Sequence, residues 1–205
     1  MGRQGVCLNH YLCLMLLSSY TDIYVEAGLD EVGRGCLAGP VVASAVILPK
    51  NISMPNLRDS KQLSAQTRAE LEVCIKQEAI AWAIAECSPI EIDKWNISNA
   101  SIYAMHRALD ALGYLPELLL VDGNRFKPYN YIPYYCMVKG DDRFLSIAAA
   151  SVLAKNYRDA LMQNLAVQHP EYGWETNMGY PTRTHKEAIA LHGLTAHHRL
   201  TFKST

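Results

Sequence analysis

The chain has 205 residues, of which half are apolar, and its 19 Lys and Arg against 20 Asp and Glu give a formal net charge of −1. This length supports a single well-buried domain. The charge balance excludes a globally basic nucleic-acid binder and an acidic tail, so any contact with nucleic acid must use cations gathered locally.

At the start, Leu8 and Tyr11 to Leu17 form an apolar stretch behind Arg3, which resembles a poor signal peptide. Asn9 and His10 interrupt it, and it is too short to span a bilayer. The reading adopted is an over-called start with Met15 as the true initiator. Residues 1–22 are then an extension ahead of one domain, 23–205. The six cysteines (Cys7, Cys13, Cys36, Cys74, Cys87 and Cys136) make no C-x-x-C pair and suit no zinc spacing. They read as reduced thiols of a cytoplasmic protein.

In chain order, 24–30 and 41–48 read as two strands of a hairpin-like pair, rich in Val, Ile and Ala. Pro49 ends the second, and 55–63 is a loop. Ser64 is an N-cap signal, and 65–79 reads as a helix with Leu71, Cys74 and Ile75 on one face. Residues 80–87 suit a third strand. Ser88-Pro89 opens a helical stretch with Glu91 and Asp93 in its early turns, where the dipole favours acids. Residues 96–112 continue as an amphipathic helix with Ile102, Met105, Leu109 and Leu112 at helical spacing, and Gly113 stops it. Leu118 to Asp122 is a buried strand ending in an acid. Residues 126–133 are a loop and 134–138 a short strand. A long helix over 146–168 begins with small residues, 169–184 is a loop, and 186–192 is a short helix. The order predicts an α/β domain with a mixed central β-sheet flanked by helices, ending in a C-terminal helical segment.

Acids recur at strand ends: Asp30-Glu31, Asp122 and Asp141. Loops at strand ends are where open α/β sheets place ligands. Carboxylates brought together raise one another's pKa unless a cation neutralises them. An all-oxygen set without His or Cys selects Mg²⁺ or Mn²⁺ over zinc. Two such ions, about 3.5–4 Å apart, could clamp a phosphodiester. Taken singly, each acid could equally be a cap or surface charge; for Asp59, Asp93, Asp110 and Asp159 that is the better reading. The glycines Gly33, Gly35 and Gly39 miss the dinucleotide spacing by one, and a strand follows them rather than a helix. They form a tight turn, or a turn that lets backbone groups approach a ligand.

These residues carry a resemblance. The segments Ala27-Gly28-Leu29-Asp30-Glu31-Val32-Gly33-Arg34-Gly35, Asp59-Ser60-Lys61, Asn99-Ala100-Ser101, Val121-Asp122-Gly123-Asn124 and Lys139-Gly140-Asp141 occur in order. The stretch from Ser146 to Lys155, then Asn177 to Thr182 and His198 to Phe202, follow them. Together they resemble the ribonuclease HII family over roughly 23–202. The resemblance implies a ribonuclease H-like fold and four catalytic, metal-binding carboxylates at Asp30, Glu31, Asp122 and Asp141. The Lys-Gly-Asp match favours Asp141 over Asp142. It implies that Gly33, Arg34 and Gly35 read a ribose 2′-hydroxyl, the group that separates RNA from DNA. Tyr180 would stack at an RNA–DNA junction. Lys61, Lys155 and Arg199 would contact phosphates, and Ser101 belongs to the same substrate-binding set. Lys139, Arg143, Arg183 and Lys186 are expected at the solvated surface. Met178 stands where the family usually has lysine. The histidines cap, pack or touch phosphate rather than bind metal.

The implied activity is metal-dependent hydrolysis of the RNA strand of RNA–DNA hybrids and incision 5′ of single ribonucleotides embedded in duplex DNA, by a cytoplasmic monomer with no membrane contact. Rivals are a ribonuclease HIII-like nuclease, which carries an extra N-terminal domain, and a non-catalytic hybrid-binding module.

Overall fold

The computed structural model describes residues 16–203, so the expected initiator Met15 and the residues before it lie outside the described residues. The apolar runs become strands β1 (Glu26–Val32) and β2 (Val41–Ile47), paired antiparallel with Asp30 opposite Ser44. Helix α1 (Ala65–Glu78) starts where the Ser64 side chain accepts from the Thr67 N–H, meeting one of the orphan donors of a first helical turn. Strand β3 (Ala81–Cys87) adds antiparallel to β2. Helix α2 (Pro89–Trp95) opens with a capping box between Ser88 and Glu91. Asn96, in the positive-φ region at 65°, breaks it from α3 (Ile97–Asp110) and caps that helix. Strands β4 (Leu118–Asp122) and β5 (Tyr134–Met137) extend the sheet in parallel from β1, giving the order β3-β2-β1-β4-β5. The long helix α4 (Leu145–Gln168) and the short α5 (Trp174–Asn177) and α6 (Arg183–His192) complete the chain. The expected mixed α/β architecture is the observed one.

Alternation along the strands divides the core in two. Ala27 and Leu29 of β1, Ala43 and Ala45 of β2 and Val121 of β4 pack against Ala100, Ala104, Met105 and Ala108 of α3. On the opposite face, Leu118 and Leu120 meet Ile147, while Val46 meets the small-residue turns of α4 and Leu71 and Ile75 of α1. Gly28 points to the α4 side. A Cβ there would stand 2.2 Å from the Ser146 carbonyl carbon, so the glycine is what lets α4 start flush against the sheet. Asp30 and Asp122 have the parity of Gly28 and Leu120 and therefore also face α4; Glu31 faces the α3 side.

Several boundaries moved. β1 starts at Glu26 instead of Tyr24 and runs on to Val32, so Asp30 and Glu31 lie within the strand. Cys74 is exposed, because Leu71 and Ile75, one turn apart, already fill the buried stripe of α1. The 169–184 loop holds a 3-10 turn, Pro170–Tyr172, and α5. α6 begins at Arg183, three residues before the expected start, because the Thr182 side chain accepts from the His185 N–H as its N-cap.

The described part of the N-terminal extension packs on the domain. The Leu17 N–H donates to the Arg143 carbonyl, and the Leu145 N–H donates to the Leu17 carbonyl, at 2.8 and 2.9 Å. Tyr20 sets its ring against Tyr135 and Phe144. Its N–H and that of Thr21 donate to the Glu26 carboxylate.

Candidate active site

The ends of β1 and β4 and the turn after β5 bring Asp30, Asp122 and Asp141 to one edge of α4, with Glu31 beside them on the α3 side. Asp30 is 5% exposed, and its Oδ1 accepts from the Glu31 N–H at 2.7 Å. Asp122, at the end of neighbouring β4, accepts from the Gly140 N–H through Oδ1 at 2.7 Å. This bond holds the 3-10 turn Gly140–Asp142, entered through Lys139 in the left-handed region, so that Asp141 lies buried in front of α4. Asp142 turns outward, where its Oδ1 accepts from the Gln62 side-chain amide. The Lys-Gly-Asp turn thus buries the first of the two adjacent acids and exposes the second.

Electrostatics show that these acids sense one another. Burial pushes the Asp30 carboxyl well above its ordinary range, and repulsion from Glu31, Asp122 and Asp141 adds to it. Asp141 is raised to about 6, by burial first and then by Asp122 and Asp59. Glu31 is raised by burial, against the pull of Arg34, whose Nη1 donates to its Oε1 at 2.9 Å. Lys61 stands at the rim, paired loosely with Asp59. Burial works against its ammonium, but Asp59, Asp30, Asp141 and Asp122 together outweigh that and raise its pKa. Among the described residues no three His, Cys, Asp or Glu side chains are already drawn into a closed metal cage. The donor chemistry nevertheless fits a hard divalent cation: mutually repelling, oxygen-only carboxylates, of which Asp30, Glu31 and Asp122 are each held through one oxygen, are what such an ion neutralises.

Beside the acids runs the glycine turn. Gly33 has φ +90°, and a Cβ on it would fall 2.2 Å from Nε of Arg158. Gly35 opens onto free space. Two buried arginines fasten the turn from behind. Arg158, on α4, donates to the carbonyls of Pro40, Ala38 and Met178. Arg199 donates to those of Gly39, Arg34 and Gly33. The loop bearing Tyr180 is tied to the same turn, since the Leu37 and Ala38 N–H groups both donate to the Gly179 carbonyl. Tyr180 is 37% exposed, with its ring 5.9 Å from the Arg158 guanidinium. Gly33, Arg34, Gly35 and Tyr180 are therefore one structural unit.

The other predicted substrate contacts sit differently. Arg199, expected on phosphate, is 2% exposed and spends its donors on the turn's carbonyls. Lys155 is paired with Asp159 at 2.6 Å, one helical turn on, and Asp159 also binds Arg68. Ser101 is buried and donates to the Ile97 carbonyl of its own helix, beneath a small cleft shared with Glu31, Arg34 and Asp122. Asp93, read as a cap or surface charge, accepts from the Leu200 and Thr201 N–H groups and so anchors the segment carrying Arg199. Two of the described histidines pack in the C-terminal part: His185 accepts from the Trp174 indole and contacts His198, which burial first and then its histidine neighbours lower to about 4. Sequence reasoning missed Arg158. The signal was available, because Ala154, Arg158, Met162 and Ala166 form a four-residue stripe whose other members are apolar and whose every member is buried.

A mixed five-stranded sheet with acids at adjoining strand ends in front of a long helix defines the class of ribonuclease H-like nucleases. The family model for ribonuclease HII matches residues 27–205, and the chain belongs to that family, a family of metal-dependent ribonuclease H hydrolases. A ribonuclease HII from Parabacteroides distasonis is 56% identical over 188 residues, covering 92% of this chain and 94% of its own. Among solved structures, the ribonuclease H2 of Pyrococcus horikoshii superposes with TM-score 0.75 at 24% identity, over 87% of this chain and 94% of that one. A ribonuclease HIII, Bst-RNase HIII in complex with Mn²⁺, superposes with TM-score 0.67 at 20% identity, over 92% of this chain and 68% of the other. These two likenesses bear on the fold alone. No helix among the described residues is long and apolar enough to cross a membrane.

Proposed function

We propose that this enzyme hydrolyses the RNA strand of RNA–DNA hybrids and incises 5′ of single ribonucleotides embedded in duplex DNA, leaving 3′-hydroxyl and 5′-phosphate ends. Its cellular work would be removal of ribonucleotides from DNA and of RNA primers, as a cytoplasmic monomer. One catalytic unit would span residues 23–205, with the packed segment 16–22 as part of it. The observation that carries the reading is the juxtaposition of two devices: the buried acids Asp30 and Asp141, with Asp122, and, starting two residues after Glu31, the glycine turn bound to the Tyr180 loop.

Asp30, Glu31, Asp122 and Asp141 would hold the divalent ions, Mg²⁺ or Mn²⁺. Two bound ions would supply Lewis-acid polarisation of an attacking water and of the leaving 3′ oxygen. The chain's own contribution is placement. The Gly140 N–H fixes Asp122, and the Glu31 N–H fixes Asp30, so neither carboxylate must be reoriented during the reaction. Gly33, Arg34 and Gly35 would meet the 2′-hydroxyl, while Tyr180 stacks on the sugar at the junction. Lys61 would meet a backbone phosphate, a reading supported by its side chain being 73% exposed at the rim of the acids.

The test is incision of a duplex carrying one embedded ribonucleotide, with Mg²⁺ or Mn²⁺. A cut on its 5′ side is expected, and no cut with either ion would overturn the reading. Asp122→Asn is expected to reduce turnover by at least about 100-fold, the scale for losing a group that organises charge at the reacting centre. Duplex binding, followed by fluorescence anisotropy, is expected to persist.

A further inference from the structure

Two buried arginines lie behind the glycine turn. Arg158 is fully buried and Arg199 is 2% exposed. Among the described residues neither has a carboxylate within ion-pair distance, since the ion pairs formed elsewhere do not include them. A buried charge without a counter-charge is costly and is retained only where its donors are satisfied. Here the satisfying groups are carbonyls of one short stretch: Gly33, Arg34, Ala38, Gly39 and Pro40, with Met178 from the Tyr180 loop.

This has a directional consequence. The carbonyls of Gly33 and Arg34 point inward onto Arg199. The N–H groups that follow them, of Arg34 and Gly35, have no backbone acceptor among the described residues, whereas Leu37, Ala38 and Gly39 donate to Gly179 and His197. Pinning a carbonyl fixes the plane of its peptide and so the direction of the following N–H. Successive N–H groups left facing one way form a concave cradle for an oxygen atom. Two guanidiniums behind it also leave the local field positive.

We propose that Arg158 and Arg199 are paired positioning residues for ribose discrimination, holding the glycine turn so that its N–H groups, and Tyr180 through the Met178 carbonyl, face the sugar hydroxyl. The proposal rests on the reading that the turn meets the 2′-hydroxyl, and it replaces a phosphate contact for Arg199 with a role exerted through the turn. Lysine cannot substitute, because a single ammonium lacks the planar fork that spans several carbonyls.

The experiment compares kcat/KM on a duplex with one embedded ribonucleotide and on a continuous RNA–DNA hybrid, for wild type, Arg158→Lys and Arg199→Lys. Arg107→Lys serves as a control, since it loosens an ion pair with Glu91 remote from the turn and should lower the melting temperature without moving the ratio. Each arginine variant is expected to lose about 100-fold on the single ribonucleotide, the cost of misplacing a positioned group by about 1 Å, with the loss mainly in kcat and clearly smaller on the hybrid. A ratio equal to wild type in folded variants overturns the proposal. Wild type failing to cut the single-ribonucleotide duplex overturns the functional reading instead. A second measurement needs no arginine variant. In Asp122→Asn, the amide resonances of Arg34 and Gly35 and the Nε–H of both arginines are followed by NMR. They are expected to shift when a duplex with one ribonucleotide is bound and to stay put with the all-DNA duplex. Equal shifts with both duplexes overturn the proposal.

Discussion

Asp141 shows how a single buried carboxylate lowers the stability of this fold. Its carboxyl titrates near 3.8 in an unfolded chain and at about 6 in the fold, because burial and then Asp122 disfavour the charge. Between those values the native state holds more protons than the unfolded state, so folding stability contributed by this group falls as pH rises through that window. Above pH 6 the cost is fully present unless a cation offsets it. Asp141→Asn removes the charge and keeps the shape. Without divalent metal at pH 7.5 it is expected to raise the melting temperature by about 2–4 °C, the shift corresponding to roughly 1 kcal/mol in a chain of this size. The same variant should lose activity, and its advantage should vanish near pH 4. Differential scanning calorimetry across pH checks both; a melting temperature below wild type at pH 7.5 would count against mutual repulsion among the acids. That Asp30, Asp122 and Asp141 would lie near one another was largely legible from their positions at or just beyond strand ends. That Glu31 would lean on Arg34, and that Arg199 would be buried, was not legible, because a side chain's partner is fixed by elements distant in sequence.

At the scale of elements, the contact between β1 and α4 sets the site. Both carry their signals openly: apolar alternation with glycine in β1, and a run of small residues opening α4. Gly28 and the Ser146 backbone meet where a Cβ would be 2.2 Å from one carbon and 2.4 Å from the Ile147 nitrogen. Backbone cannot swing aside as a flexible side chain can. Gly28→Ala is therefore expected to cost about 3 kcal/mol, at the upper end for overpacking, and to displace α4 from the acids. Urea unfolding measures the first effect and metal-dependent cleavage the second; a fully stable variant would mean that the helix start can shift freely. The long strands and helices followed from periodicity to within a few residues. The largest departure fell in 169–184, where α5 depends on burial of Trp174 in the C-terminal cluster, which local pattern does not encode, whereas the early start of α6 follows from the Thr182 N-cap, a local signal.

For the whole molecule, the N-terminal strap is the unexpected member. Leu17 bonds both to Arg143 and to Leu145, supplying a backbone acceptor at the start of α4, whose N-cap residue Phe144 offers no side-chain cap. Deleting residues 1–20 removes these two bonds and the Tyr20 ring contacts. The expected loss is about 2 kcal/mol for the two hydrogen bonds alone, with weaker activity because the Asp141 turn lies immediately upstream. A chain begun at Met15 retains Leu17 and is the comparison. Equal melting temperatures for the two would show the strap to be passive.

The sequence by itself determined the family, the mixed α/β class and the acids with their glycine turn, because these are written in local pattern and in motifs kept in order. Only the tertiary structure decided that Arg158 and Arg199 sit behind that turn, that Lys155 is engaged by Asp159, and that the strap joins the domain. Each of those depends on groups far apart in the chain competing for the same buried donors and acceptors, and only the folded arrangement settles which partner is within reach.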